Sequence, residues 1–144
     1  MLGFAKCRDV PLTFNLIISA FIYIQGEQMG PGIQANKYGL TELKFFVFNV
    51  YDITEKRYLN GNDVRNFCIE YGFEMVPFLT ECTFLWKNTE ELVEYAKGNS
   101  RLADIPREGI VIRTRKTKEP MAGMSNMLSF KTINPDFLKK YNLE

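Results

Sequence analysis

Apolar positions change their period several times along the chain, and each change marks an element. Residues 14–25 (FNLIISAFIYIQ) are rich in β-branched and aromatic side chains and predict a strand. Gly26, Gly30, Gly32 and Gly39 follow, with Pro31 among them, the chemistry of a loop that turns sharply or lets something approach its backbone. From Phe45 to Ile53 (FFVFNVYDI) the chain is apolar on both parities, which predicts a strand covered on both faces. Beyond a turn at Asn60-Gly61, the residues Val64, Phe67, Cys68 and Tyr71 recur at helical spacing, with Asn62 as candidate cap and Gly72 as stop. A second helix is predicted from about Thr89 to Lys97, with Asn88 as cap, Glu91 three residues on and Gly98 as terminator. Glu108 to Arg115 alternates as a strand, Ile110 and Ile112 on one parity, Arg113 and Arg115 on the other. A polar, Met-rich loop leads to a strand at Met127–Ile133, after which Asn134-Pro135 opens a short closing helix. Regular βαβ alternation is missing, so the expected fold class is α+β, mainly antiparallel sheets with flanking helices.

Composition narrows the chemistry. A chain of 144 residues, 46% of them hydrophobic, falls within the usual range for one domain and leaves no room for two that fold independently. Lys plus Arg (18) nearly balances Asp plus Glu (17), which excludes a broadly basic coat while leaving room for a local basic groove. There is no histidine, so His triads, Cys-His dyads and HExxH zinc sites are excluded together. Cys7, Cys68 and Cys82 have no CxxC spacing and make no disulfide framework; reduced, mostly buried thiols in a cytoplasmic protein are expected. The apolar stretch from Leu16 to Ile24 is interrupted by Ser19 and too short to span a bilayer, and no signal peptide is evident, so no membrane is expected. Any catalysis must rest on Lys, Glu and Asp, with or without a metal.

Three residues stand out on position alone. Glu27 sits between a strand and a glycine turn, where a ligand can reach backbone, although a solvated turn carboxylate fits the same spacing. Glu108 enters a strand just after Pro106 and has the same character. Lys131 lies inside a strand pattern, where lysine belongs on an edge or facing solvent unless it is aimed at an anion.

Four strings then occur in order: QGEQMGPGIQ-N at 25–36, KFFVFNVYDI at 44–53, EGIVIR at 108–113 and SFKTINPDFL at 129–138. Together they resemble motifs III, IIIa, IV and V of the covalent nucleotidyltransferases, specifically the ATP-dependent RNA ligases, over roughly residues 22–140. The GPGIQ-N extension is similar to that of the phage-type double-strand-sealing RNA ligases and their bacterial relatives. The resemblance implies a nucleotidyltransferase domain that joins RNA 5′-phosphate and 3′-hydroxyl ends through a lysyl-AMP, with ATP and Mg2+ or Mn2+ as cofactors and RNA ends as partners. It implies that Glu27 contacts the ribose and that Phe48 stacks on adenine, which calls for a flat, rigid ring; by itself Phe48 reads equally as core. Glu108 would bind or orient the metal, a hard-cation task for oxygen ligands, and Lys131 would hold the α-phosphate as charge builds. Gln34, Asn36, Arg113 and Arg115 would contact RNA, a solvated basic edge being the alternative for the two arginines. Where the phage-type pattern has a second motif V lysine, this chain has Ile133, so Lys131 carries more of the phosphate contact.

The family's nucleophile belongs to motif I, a Lys-x-(Asp/His/Glu)-Gly string, and the sequence contains none. Lys6, in the context KCRD, is the only lysine before Glu27. The expectation is therefore a single, N-terminally incomplete nucleotidyltransferase domain over 1–144, inactive alone, completed by another chain or by self-association. A catalytically dead ATP- or RNA-binding module, or a degenerate ligase remnant, is the alternative.

Overall fold

The computed structural model describes residues 4–5, 21–81, 86–114 and 128–143. The larger sheet has five strands: β1 (Phe4–Ala5), β2 (Ile22–Met29), β3 (Lys44–Asp52), β4 (Arg57–Tyr58) and β5 (Glu74–Met75). β3 is the hub. It pairs antiparallel with β2 along its whole length, antiparallel with β4 at Tyr51 and Asp52, and parallel with β5 at Phe46 and Val47. A separate antiparallel ribbon joins β6 (Gly109–Arg113) to β7 (Ser129–Ile133). With helices α1 (Gly61–Tyr71), α2 (Thr89–Ala96) and α3 (Pro135–Tyr141), the fold is α+β and mainly antiparallel, as the element order predicts.

Each helix is fixed by a local signal. Asn60, not Asn62, caps α1: its Oδ1 accepts from the backbone N–H groups of Asn62 at 3.0 Å and Asp63 at 3.1 Å. Helical geometry begins at Gly61, which makes the preceding extended residue the one whose side chain can reach back to the free N–H groups. At the other end Gly72 adopts the left-handed conformation (φ 71°) and donates to the carbonyl of Cys68. Asn88 caps α2 through the N–H of Glu91, and Glu91 in turn accepts from Lys87 N–H. In α3, Asn134 accepts from Asp136 N–H while Pro135 occupies the first turn. Asn60→Ala is expected to lower stability by about 1 kcal/mol, read as a reduced midpoint in chemical denaturation with an unchanged slope.

Two cores result. In the first, α1 lays Val64 and Cys68 on Ile24, Val47 and Val50 of the larger sheet. Val47 and Val50 are three residues apart and both fully buried, which strict alternation forbids on one face. The register supplies the reason. Gln25 faces Asn49 but Gly26 faces Val47, so Phe48 is the extra residue of a β-bulge that resets parity. Phe46, on the face opposite Val47, is 3% exposed, so this strand is covered on both faces there, as predicted. In the second core, Leu92 and Ala96 of α2 pack on Ile110 of the ribbon. Asn134 is fully buried and donates to the Arg107 carbonyl at 2.8 Å, tying α3 to the approach to β6. Among the described residues no helix is long and apolar enough to cross a membrane.

Candidate active site

Gly26 and the bulge set the sheet side of the site. A Cβ on Gly26 would stand 2.4 Å from the Phe45 ring and 2.6 Å from the Phe46 carbonyl, so only glycine lets β2 lie this close to β3. Glu27 then falls directly across from Phe46, on the face away from α1, where its carboxylate is half-buried. On the same face Asn49 donates to the Gln25 side-chain carbonyl at 2.9 Å, next to the half-buried Phe48 ring.

The ribbon supplies the other side. Glu108 lies one residue before β6, and Gly109 comes so close to β7 that a Cβ there would sit 2.2 Å from the Thr132 carbonyl. Strand alternation therefore does not bind Glu108, and its carboxylate accepts a hydrogen bond and ion pair from Lys131, which faces Val111 across the ribbon. Burial pushes the Glu27 carboxyl above its ordinary value; the Glu108 charge pushes the same way and Lys131 opposes them. Three charged groups named from separate strings thus act on one another electrostatically.

A carboxyl whose native value is raised favours the folded state only where it is protonated. Its contribution is complete below the unfolded value and is lost as pH rises through the folded one. Glu27→Gln is accordingly expected to be more stable than the parent at pH 7, with the advantage disappearing below about pH 4. Denaturation midpoints across a pH series check it; a constant difference would remove the electrostatic explanation.

The glycine loop borders Glu27. Gln34, Ala35 and Asn36 form one left-handed turn (φ 45°, 56° and 46°), a conformation uncommon outside glycine and asparagine. Asn36 holds it: its Nδ2 donates to the Leu40 carbonyl at 2.9 Å and its Oδ1 accepts from Leu40 N–H at 3.0 Å. Its amide thus serves the loop itself, while Gln34 stays exposed beside Glu27, Gln28 and Tyr38 in a shallow depression. Lys37 anchors the loop to α3, its Nζ 5.1 Å from the Phe137 ring centre and 5.0 Å from that of Tyr141. Tyr38 is a member of the site that sequence reasoning missed. Burial, reinforced by Glu108, Glu27 and Tyr141, pushes its phenol up to about 12.

Arg113 does not lie on a solvated basic edge, the alternative reading of the strand. It turns inward: its guanidinium donates to the Phe48 carbonyl at 2.7 Å and its central carbon stands 5.7 Å from the Phe48 ring centre. Arg115 lies outside the described residues, as do Lys6, Cys7 and Cys82.

Residues 9–133 match the family described as RNA ligase. The chain belongs to the RNA ligase family. Solved structures of an RNA ligase from Naegleria gruberi share its fold. The structure with PPi matches at a TM-score of 0.73 and 26% identity, over 86% of this chain and 35% of that chain. A mutant with ATP and Mn gives 0.74 and 25%, over 86% and 36%; another with AMP and Mn gives 0.72 and 26%, over 85% and 35%. This RNA ligase family member thus spans little more than a third of the length of the chains it matches. No curated protein matches it.

Proposed function

We propose that this RNA ligase family domain forms the nucleotide cleft of an ATP-dependent enzyme that joins RNA 5′-phosphate and 3′-hydroxyl ends. The observation that carries the reading is the convergence of Glu27, Glu108 and Lys131 beside the Phe48 bulge, four residues from four separate motif strings. Glu27 would hold the ribose, Phe48 would stack on adenine, and Lys131 would hold the α-phosphate while charge builds on it. Gln34, exposed at the mouth, would meet RNA.

A divalent metal fits beside Glu108. Among the described residues no group of three or more acidic or thiol side chains could cage an ion, but magnesium commonly takes one or two carboxylates and completes its shell with substrate phosphates and water. When bound, it would neutralise phosphate charge. That Naegleria structures were determined with ATP or AMP and Mn supports the assignment.

The reaction needs a lysine amine to attack the α-phosphorus, with pyrophosphate leaving and a phosphoramide bond forming. AMP then passes to the RNA 5′-phosphate, and the 3′-hydroxyl displaces it. The sequence offers no Lys-x-(Asp/His/Glu)-Gly string for the first step, and Lys131 is held by Glu108, so the nucleophile would come from another segment, in the same protein or a complementary chain. Incubation with α-labelled ATP and Mg2+, alone and with a fragment bearing that string, tests this. Label on the fragment's lysine is the expected result. Retained ATP binding without label in either condition would select the second reading, a binding module without turnover.

A further inference from the structure

The bulge that exposes Phe48 also leaves it without a register partner: Gln25 pairs with Asn49 and Gly26 with Val47, so no residue of β2 stands opposite it. A residue in that position is not oriented by the ladder, yet stacking requires a ring held flat and still. The structure supplies the restraint from the ribbon. One guanidinium nitrogen of Arg113 donates to the Phe48 carbonyl at 2.7 Å while the guanidinium lies over the ring at 5.7 Å, fixing backbone and side chain together.

The surroundings of Arg113 argue against a surface or phosphate role. Its side chain is desolvated enough for burial to lower its proton affinity, and its Nε–H is buried with no hydrogen-bond partner among the described residues. Burying a cation this way is unfavourable unless its interactions are specific, and here the guanidinium bonds and stacks on Phe48. Arg113 also sits two residues from Val111, whose cross-ribbon neighbour is Lys131. The clasp therefore ties the aromatic platform of one sheet to the strand pair that carries the cation.

We infer that Arg113 is a positioning residue for nucleotide binding, acting through Phe48 and not through the phosphates or RNA. The inference deepens the proposed function and rests on Phe48 being the base platform.

The test compares two ligands of the whole chain by calorimetry in Mg2+: ATP, and inorganic tripolyphosphate, which has no base to stack. Arg113→Gln is expected to weaken ATP about tenfold and tripolyphosphate by less than about twofold. Phe48→Ala should show the same split, and the double variant should be no weaker than Phe48→Ala alone, because the second change removes a restraint on a ring already absent. Arg113→Lys keeps a donor but not the planar fork and should recover part of the loss, which also covers an Arg113→Gln chain that fails to fold.

Equal losses for ATP and tripolyphosphate, or additive losses in the double variant, would overturn the inference. So would unchanged ATP binding in Arg113→Gln while Phe48→Ala weakens it, and that result would leave the proposed function standing. A parent chain that does not bind ATP, or whose binding ignores Phe48→Ala, would remove the functional reading and the inference with it.

Discussion

Replacing Lys131 with methionine is expected to weaken ATP binding by about a hundredfold, the scale of removing one charge-assisted hydrogen bond from a partly desolvated site. The loss has two sources. The cation that would meet the α-phosphate disappears, and Glu27 and Glu108 are left facing each other without the charge that offsets them. The second source predicts a signature that simple truncation does not. In Lys131→Met the Glu27 carboxyl should rise further, so the variant should lose stability between pH 5 and 8 relative to its value at pH 4. Adding Glu108→Gln should return part of that stability without restoring ATP affinity. Calorimetry at fixed ionic strength reads the first effect and a pH series of melts the second. A loss in affinity under threefold would show that Lys131 does not face the phosphate.

The largest stability effect should come from the smallest change, Gly26→Ala. The added methyl would meet the Phe45 ring at 2.4 Å and the Phe46 carbonyl at 2.6 Å, and the second of these is backbone in the central strand, which cannot move without dragging the bulge. Overpacking at such a point costs about 3 kcal/mol or more and should disturb Phe48 along with the core. Gly61→Ala is the natural contrast. It lies at the start of α1 with nothing near its Cβ position, and is expected to raise stability by about 0.5–1 kcal/mol. Urea titrations of the two variants against the parent decide the matter; a mild effect at Gly26 would mean that β2 and β3 can part without harm.

Much of this architecture is legible in the sequence wherever the signal is local. Asn88 with Glu91, Gly72, and Asn134 with Pro135 each place a helix end, because capping depends on neighbours a few residues away. Glu27, Glu108 and Lys131 are legible through motif strings, and their convergence follows once the two sheets face each other. What is not legible depends on register. A bulge at Phe48 comes from the misfit between two paired strands and leaves no mark on either alone, so the run FFVFNVYDI reads as uniformly apolar. Arg113 follows from the same cause: alternation places it on a parity, but only the packing of ribbon against sheet shows that Phe48 stands in its path. Tyr38 lies after a left-handed turn whose direction no spacing rule specifies.

The Glu108–Lys131 pair has a bearing on which anions the cleft accepts. Both side chains remain close to half exposed, 41% and 47%, so their attraction is screened and the pair can open. Any anion approaching Lys131 must nonetheless displace a carboxylate that is tethered in place and present at high effective concentration. A bare phosphate ion would free Glu108 into an already acidic neighbourhood and gain little from the exchange. A phosphate that arrives with its own divalent cation gives each partner a replacement at the same moment. If Lys131 meets the α-phosphate as proposed, the resting ion pair would act as a competitor that disfavours naked anions relative to chelated ones.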